Sequence, residues 1–227
     1  YFIVWEGVGR SWTFRVADDA YDEAFITSFR ALYHHRCGTA LTEEHTQWTH
    51  DECHTAPATA SAFARGDEGE AFEQLPAQSE GIPLEVRGGY HDAGDYDRHA
   101  DHLIIVDKLV DLYLMFPERH ARDDLGLPES GNDVPDILDE ARWGLGLFAA
   151  LQAEDGSVRG GLETTDHPGF DIGPAEDTGT TWYAYAATSE STYKFARAAA
   201  RYALAMNDWN RPEARAWLQR AEDAWAW

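Results

Sequence analysis

A nine-residue segment concentrates groups that can do acid–base chemistry: GGYHDAGDY, residues 88–96. Asp92 and Asp95 are carboxylates three residues apart, and a tight turn through the intervening Ala-Gly would aim both at one point. Gly94 is expected to supply a positive φ there, and Gly88-Gly89 would let backbone approach a ligand closely. Such a pair can hold a water molecule and remove its proton, which is the general-base half of a hydrolysis. An exposed Asx-turn or a calcium loop is the alternative for a bare D-x-x-D spacing.

Two cysteines and two histidines form a second candidate site. Cys37, Cys53, His54 and His91 have the composition of a closed tetrahedral zinc site, with two thiolates and two imidazoles. Spacing does not decide between zinc and a Cys37–Cys53 disulfide, because neither C-x-x-C nor H-x-x-x-H links the four residues. Two cysteines cannot form a disulfide scaffold, so they make one bridge, one metal site or free thiols.

The elements that must position these residues are mostly helical by their hydrophobic period. A first helix is expected to begin after Asp18-Asp19 and to end near Gly38. Residues 1–16 resemble strands around a Gly7-Val8-Gly9 turn, and residues 64–82 look like a surface insertion. A loop as long as 38–97 is usually functional or braced by a metal. The remaining predicted helices are 103–116, 134–151, 189–206 and 212–227, with loops between 153 and 180.

Composition excludes several classes of protein. The chain has 227 residues, with 41 acidic against 18 basic side chains and a formal net charge of −23. A hydrophobic fraction of 44% argues against disorder, and no apolar run approaches the ~20 residues of a membrane span. The negative charge repels phosphate backbones and argues against a nucleic-acid partner.

The basic residues are themselves skewed, because only Lys108 and Lys194 are lysines and the other basic residues are arginines. An acidic, lysine-poor surface is typical of proteins in concentrated salt, where screening removes self-repulsion. An ordinary acidic secreted enzyme from an organism with arginine-rich codon bias fits equally well.

Residues 88–96 resemble the signature of glycoside hydrolase family 9, the inverting cellulase family. Residues 132–141, NDVPDILDEA, and the later Gln152 and Asp155-Gly156 resemble the family's N-x-P-D-I-L-D-E helix and M-Q-x-x-D-G end. Two departures are an extra residue before Pro135 and Leu151 in place of Met. The Ala186-Ala187-Thr188 segment before an alanine-rich helix also fits. SWTFRV and a helix ending in Arg36-Cys37-Gly38 resemble the junction between an immunoglobulin-like domain and the catalytic domain.

The resemblance implies an all-α fold, the first half of an (α/α)6 barrel over residues 18–227. Residues 1–17 would be the last strands of an immunoglobulin-like β-sandwich. The resemblance implies that Asp95 would be the catalytic base and that Asp92 would help to bind and orient the water. Tyr96 and Trp182 are candidate substrate-binding residues. The general-acid Glu is expected outside this chain, so the rest of the catalytic domain is expected to be required.

The resemblance also bears on metals. One branch of the family carries R-C-G, C-H and H-D-A-G-D together and binds zinc there, which favours structural zinc at Cys37, Cys53, His54 and His91 over a disulfide. Calcium is a further candidate at the acid-rich segments 129–140 and 171–177, although D-I-L-D-E also fits a plain helix N-terminus. Trp143, Trp182 and Tyr183 could stack on sugars or simply pack. His34-His35, His99 and His102 are expected on the surface or lining the barrel rather than as ligands.

The implied function is that of an endo-β-1,4-glucanase acting on cellulose or related β-glucans, secreted or extracellular, with no nucleic-acid or membrane partner. An exo-acting β-glucosidase or glucosaminidase on oligosaccharides is an alternative, and so is a non-catalytic, zinc-stabilised carbohydrate-binding fragment. The sequence has neither an initiator Met nor a signal-peptide pattern, and helical periodicity still runs at Trp227. We therefore expect a piece of a longer protein.

Overall fold

The computed structural model describes residues 1–66 and 71–227, and helices build most of its core. The α-helices of this part are α1 Asp22–His34, α2 Ala71–Ala77, α3 Leu103–Met115, α4 Asp136–Ala150, α5 Ser189–Met206 and α6 Arg211–Ala226. The strands are β1 Val4–Trp5, β2 Gly9–Arg10, β3 Ala58–Ser61, β4 Ser79–Leu84, β5 Arg98–His99, β6 Gly161–Thr164 and β7 Trp182–Ala184.

The four predicted helices from α3 onward form with bounds within two residues of those expected. The α5 helix begins at a capping box, in which the Thr188 side chain accepts from Ser191 N. At the start of α6 the Asn210 side chain accepts from Glu213 N, with Pro212 in the first turn. Helices α3, α4 and α5 pack together through buried apolar faces that include Val106, Leu145 and Phe195.

Helix α1 begins after Asp18-Asp19, as expected, but these residues do not cap it. These residues lie in a turn in which Asp22 N donates to Asp19 O at 3.1 Å, and α1 begins at Asp22 without a side-chain cap. The helix ends at His34, four residues before Gly38, whose φ is +76°.

The all-α expectation is also incomplete, because the predicted loops contribute a five-stranded sheet. Its strand order is β4-β3-β7-β6-β5, in which β3 and β7 run parallel and the other neighbours are antiparallel. The predicted surface insertion, residues 64–82, contains α2 and most of β4, and its residues 67–70 lie outside the described part. Most of β4 is exposed, whereas Leu75 of α2 is buried against Tyr185.

The N-terminal residues form only a two-stranded antiparallel ribbon of β1 and β2, and residues 1–24 are exposed. The immunoglobulin-like assignment of residues 1–17 therefore stays a prediction. No helix in the described ranges is long and apolar enough to cross a bilayer.

Candidate active site and metal centre

Residues 88–97 fold into a closed turn between the end of α1 and the sheet. Cys37 N donates to Gly89 O at 3.0 Å and His91 N donates to His35 O at 2.8 Å, so the segment runs beside the chain that follows α1. Asp92 N donates to Asp97 O at 2.9 Å, and this bond closes the turn that carries Asp92 and Asp95. The turn is therefore fixed by main-chain bonds at both ends.

The backbone φ angles of the turn differ from the sequence-based expectation. The positive φ falls on Ala93 (39°) and Tyr96 (61°) rather than on Gly94. The prediction for Gly94 is therefore wrong, and the strain lies on two residues with side chains. Gly89 has a φ of +81°, which favours glycine. An added Cβ would lie 2.7 Å from Leu147 Cδ2, so the Leu147 side chain would have to shift.

The two predicted catalytic carboxylates line one cavity of about 170 Å³. The Asp92 side chain is 51% exposed, and His102 Nε2 lies 3.6 Å from its Oδ2. Asp95 Oδ1 is buried and has no hydrogen-bond partner. Asp97, His99, Glu163 and His167 line the same cavity. A larger pocket of about 670 Å³ lies where α1 begins and contains no residue of the turn.

The four predicted zinc ligands come together at one buried point. Their ligand atoms all lie within 4.8 Å of one another, and both cysteines are free. Cys37 Sγ is 3.4 Å from His54 Nδ1, and Cys53 Sγ is 3.5 Å from His91 Nε2. A tetrahedral zinc ion with ordinary bond lengths separates sulfur and nitrogen ligands by about 3.6 Å. The donor set therefore fits zinc in both chemistry and size.

The thiols have unequal acidity. Burial raises the pKa of Cys37, whereas the hydrogen bonds that Cys53 accepts, first from Cys37 and then from His54 and His91, lower the pKa of Cys53. Gly38 N also donates to Cys53 Sγ at 3.3 Å. One thiolate is thus already favoured by protein donors, as a metal ligand requires.

A buried ion pair anchors both sites to α4. Arg36, next to Cys37 in the sequence, donates from Nε and Nη2 to Glu140 at 3.2 and 3.0 Å. Tyr90, next to His91, donates its hydroxyl to Glu140 Oε1 at 2.8 Å. Trp143 Nε1 donates to Gly89 O at 3.0 Å. Except for Trp143, these residues belong to the sequence motifs, but nothing in their spacing reveals that they meet.

The two predicted substrate-binding aromatics are not in the cavity. Trp182 is 3% exposed, with Arg98 Cζ 4.4 Å above its ring and the His54 ring 5.2 Å away. Tyr96 is 9% exposed, packs on His54 and His91, and donates its hydroxyl to Ile172 O at 2.7 Å. Both rings are therefore covered by protein and pack against candidate zinc ligands. Their role in substrate binding stays a prediction.

The remaining aromatic, histidine and calcium candidates contact other protein groups or solvent. Trp143 is half-buried beneath Arg36, and Tyr183 packs near α2. His34 Nε2 forms a hydrogen bond with Thr46 Oγ1 at 2.8 Å, and His35 is exposed. In the described ranges, neither predicted calcium segment brings three carboxylates or histidines of its own together; Asp136 and Asp139 instead accept bonds from protein donors. Calcium binding stays a prediction.

Sequence and structure comparisons converge on one family. A sequence model described as Glycosyl hydrolase family 9 matches residues 21–227. Endoglucanase D of Acetivibrio thermocellus is 28% identical over 162 residues, which are 70% of this chain and 24% of that protein. The chain thus spans about a quarter of this curated relative.

Solved structures agree with the sequence match. A metagenome-derived glycoside hydrolase family 9 endoglucanase aligns with a TM-score of 0.78 and 34% identity over 97% of this chain and 38% of its own. A zinc-binding triple mutant of the family 9 endoglucanase J30 aligns with a TM-score of 0.79 and 30% identity, over 96% of this chain and 39% of its own.

Proposed function

The chain belongs to glycosyl hydrolase family 9, and on that premise we propose that it is the base-carrying part of an inverting enzyme that cleaves β-1,4-glucosidic bonds in β-glucans. Its helices would form the first half of an (α/α)6 barrel, and the whole protein would act outside the cell. Endo action on polymeric glucan is the mode we propose.

One observation carries the proposal. Asp95 presents a buried carboxylate oxygen without a protein partner to a cavity that half-exposed Asp92 also lines. An unpartnered buried carboxylate oxygen is costly unless a water or substrate group occupies it. A cavity of about 170 Å³ has room for several waters at about 30 Å³ each.

In the proposed mechanism Asp95 accepts a proton from a water that attacks the anomeric carbon from the face opposite the leaving oxygen. Asp92 accepts the second hydrogen bond of that water and orients its lone pair. A protonated carboxylic acid must stand across the sugar, about 6.5–9.5 Å from the base, to protonate the leaving oxygen. We assign that acid to a Glu outside these residues.

Zinc has a structural role in this proposal. Cys37, Cys53, His54 and His91 would hold the ion and complete a four-ligand shell, which leaves no open position for substrate. Because His91 directly precedes Asp92, the ion would fix the catalytic turn to the segments that follow α1. His54 would bind through Nδ1, since its Nε2 faces Asp177.

The test is removal of the base in a polypeptide that carries this chain together with the rest of a family 9 catalytic domain. Asp95→Asn keeps the size of the side chain and should lower kcat on soluble cellulose derivatives by about 10²- to 10⁴-fold. Asp92→Asn should also lower kcat, by less. Proton NMR of the first product should show the α-anomer, which reports inversion.

The matched control is Asp166→Asn, which removes an exposed carboxylate just beyond β6 and should leave kcat unchanged. Near-normal turnover of the Asp95 variant would contradict the assignment. Sugar binding without turnover by the unaltered longer polypeptide would favour a non-catalytic carbohydrate-binding fragment. Release of single glucose units from chain ends would favour the exo-acting alternative.

A further inference from the structure

Asp97 lies at the end of the turn that carries Asp92 and Asp95, where the turn joins the sheet. Its carbonyl accepts from Asp92 N at 2.9 Å, which closes the turn. It directly precedes β5, whose Arg98 pairs with Leu162 of β6. The Asp97 side chain therefore sits where the turn joins the sheet.

That side chain meets a second buried carboxyl group. Asp97 is 3% exposed and Glu163 of β6 is 7% exposed. A single main-chain donor, Thr164 N, lies 3.3 Å from Asp97 Oδ1 and 3.2 Å from Glu163 Oε1. Tyr185 donates its hydroxyl to Glu163 Oε2 at 3.0 Å. A side-chain oxygen of Asp97 and one of Glu163 lie within 4.8 Å of each other. Two ionised carboxylates this close would repel strongly, so the pair needs a shared cation or proton.

We propose that Asp97 and Glu163 share one proton, which is bound to Asp97 and hydrogen-bonded to Glu163. This hydrogen bond would fix the Asp92–Asp95 turn to β6. Asp97 is then a positioning residue for the base. Its hydroxyl donates to the Glu163 carboxylate, which Tyr185 and Thr164 also stabilise. The consequence for catalysis rests on the proposed function, whereas the shared proton does not.

The surroundings of the pair favour a proton. Burial, the hydrogen bond with Glu163 and the charges of Glu163 and Asp95 raise the pKa of Asp97 to about 10. Burial lowers the pKa of His99, 3.7 Å from Glu163, to about 4, so its ring brings no positive charge at neutral pH. The other groups facing the pair are Asp92 across the cavity, Arg65 from the segment before α2, His167 at 4.0 Å from Asp97, and Tyr185, whose pKa burial raises.

The first experiment observes the proton directly on the zinc-loaded chain. Infrared difference spectra between the wild type and Asp97→Asn at pH 8, with ¹³C-labelled aspartate, should show one protonated carboxylic acid C=O band lost in the variant. That band should titrate away near pH 10. Its absence, or its displacement at pH 8 by a stoichiometric second divalent ion, would overturn the proposal.

The second experiment tests positioning in the longer polypeptide described above. Asp97→Asn keeps a donor toward Glu163 and an acceptor for Thr164 N, so kcat should stay within about threefold of the wild type. Asp97→Ala removes both and should lower kcat about 10- to 100-fold with little change in KM, because misplacement of a reacting group by about 1 Å costs that much. Asp107→Ala, the same truncation at a buried acid of α3 that does not line the cavity, is the control.

Two further readouts keep the outcomes distinct. Zinc content and circular dichroism should be unchanged in Asp97→Ala, and amide hydrogen exchange at Asp92 and Tyr96 should accelerate in that variant alone. Equal loss of kcat in the Asn and Ala variants would overturn the positioning role. If no longer polypeptide hydrolyses glucan, the proposed function fails, while the infrared and exchange results still decide the shared proton.

Discussion

His54 is the proposed zinc ligand whose orientation depends on one distant carboxylate. Its Nδ1 faces Cys37 Sγ, and its Nε2 lies 3.2 Å from Asp177 Oδ2, 123 residues away in the sequence. The Asp177 side chain is only 7% exposed. A carboxylate that accepts from the far nitrogen of a ligating imidazole fixes the tautomer and raises the basicity of the ligand. If His54 binds zinc, Asp177 would orient this ligand, a role that does not require calcium.

We predict about one zinc ion per chain and a weaker site when Asp177 is removed. Asp177→Ala should raise the zinc Kd about 10- to 100-fold in competition with a chromophoric chelator. Asp177→Asn retains an acceptor oxygen and should have a smaller effect. The exposed Asp171→Ala is the control. A chain without zinc by elemental analysis would end the zinc assignment, and an unchanged Kd in Asp177→Ala would end this role for the carboxylate.

Individual functional residues can be predicted from the sequence when they share a contiguous motif. Side-chain pairs between residues far apart in the sequence cannot. Asp92, Asp95 and the four candidate zinc ligands could be singled out from the sequence because their types are unusual and their neighbours form known motifs. Asp97 with Glu163, and His54 with Asp177, could not be identified, because each pair depends on how the sheet and loops close. The sequence also did not reveal that Trp182 is buried, because burial depends on how distant segments pack.

Helix α4 contacts the candidate site through Glu140 and Trp143. The acidic side chains in its first turns are buried rather than exposed. Asp136, Asp139 and Glu140 are each at most 2% exposed. Asp136 accepts from Ser130 and Leu125, Asp139 accepts from Asn132 and Arg142, and Glu140 pairs with Arg36. Exposed acids would interact with the helix dipole equally well. Asp136 and Asp139 instead connect α4 to the preceding loop, and Glu140 connects it to Arg36 and Tyr90.

We predict a pH-dependent stability from Asp139. Burial raises the pKa of Asp139 to about 7, whereas in the unfolded chain it is near 4. The folded chain therefore keeps a proton that the unfolded chain has lost, and the free energy of unfolding falls by about 1.4 kcal/mol per pH unit between those values. Asp139→Asn should remove this dependence.

Urea unfolding at pH 4.5, 6 and 7.5 tests this prediction. The Asn variant should gain stability relative to the wild type as the pH rises, and the difference should level off above pH 8. Asp133→Asn removes the same charge from an exposed position before the helix and is the control. A constant difference between Asp139→Asn and the wild type across this range would refute the prediction.

The helices α3 to α6 could be predicted because apolar periodicity over 13 to 18 residues is a strong local signal. The sheet could not, because its strands are two to six residues long. One of its pairings, Thr59 with Tyr183, joins parallel strands from opposite halves of the chain. Such strands are stabilised by their partners rather than by their own sequence.

At the scale of the whole molecule the dominant property is charge. The 41 acidic side chains outnumber the 18 basic ones, and several of the basic ones are already paired, as in Arg36 with Glu140 and Lys194 with Asp101. The remaining acids therefore repel one another across the surface. Screening acts over about 10 Å at 0.1 M salt and about 3 Å at 1 M, so added salt should relieve that repulsion.

We predict that the Tm of the zinc-loaded chain rises by several degrees between about 0.05 and 1 M NaCl, with KCl equivalent, because the folded state concentrates negative charge more than the unfolded state. Glu43→Gln, Glu85→Gln and Glu222→Gln together remove three negative charges at exposed positions and should raise Tm at low salt while reducing its salt dependence. Differential scanning calorimetry measures both effects. A Tm that is flat or falls with NaCl would show that weakened surface ion pairs outweigh the relieved repulsion. That result would favour an ordinary acidic secreted enzyme over adaptation to concentrated salt.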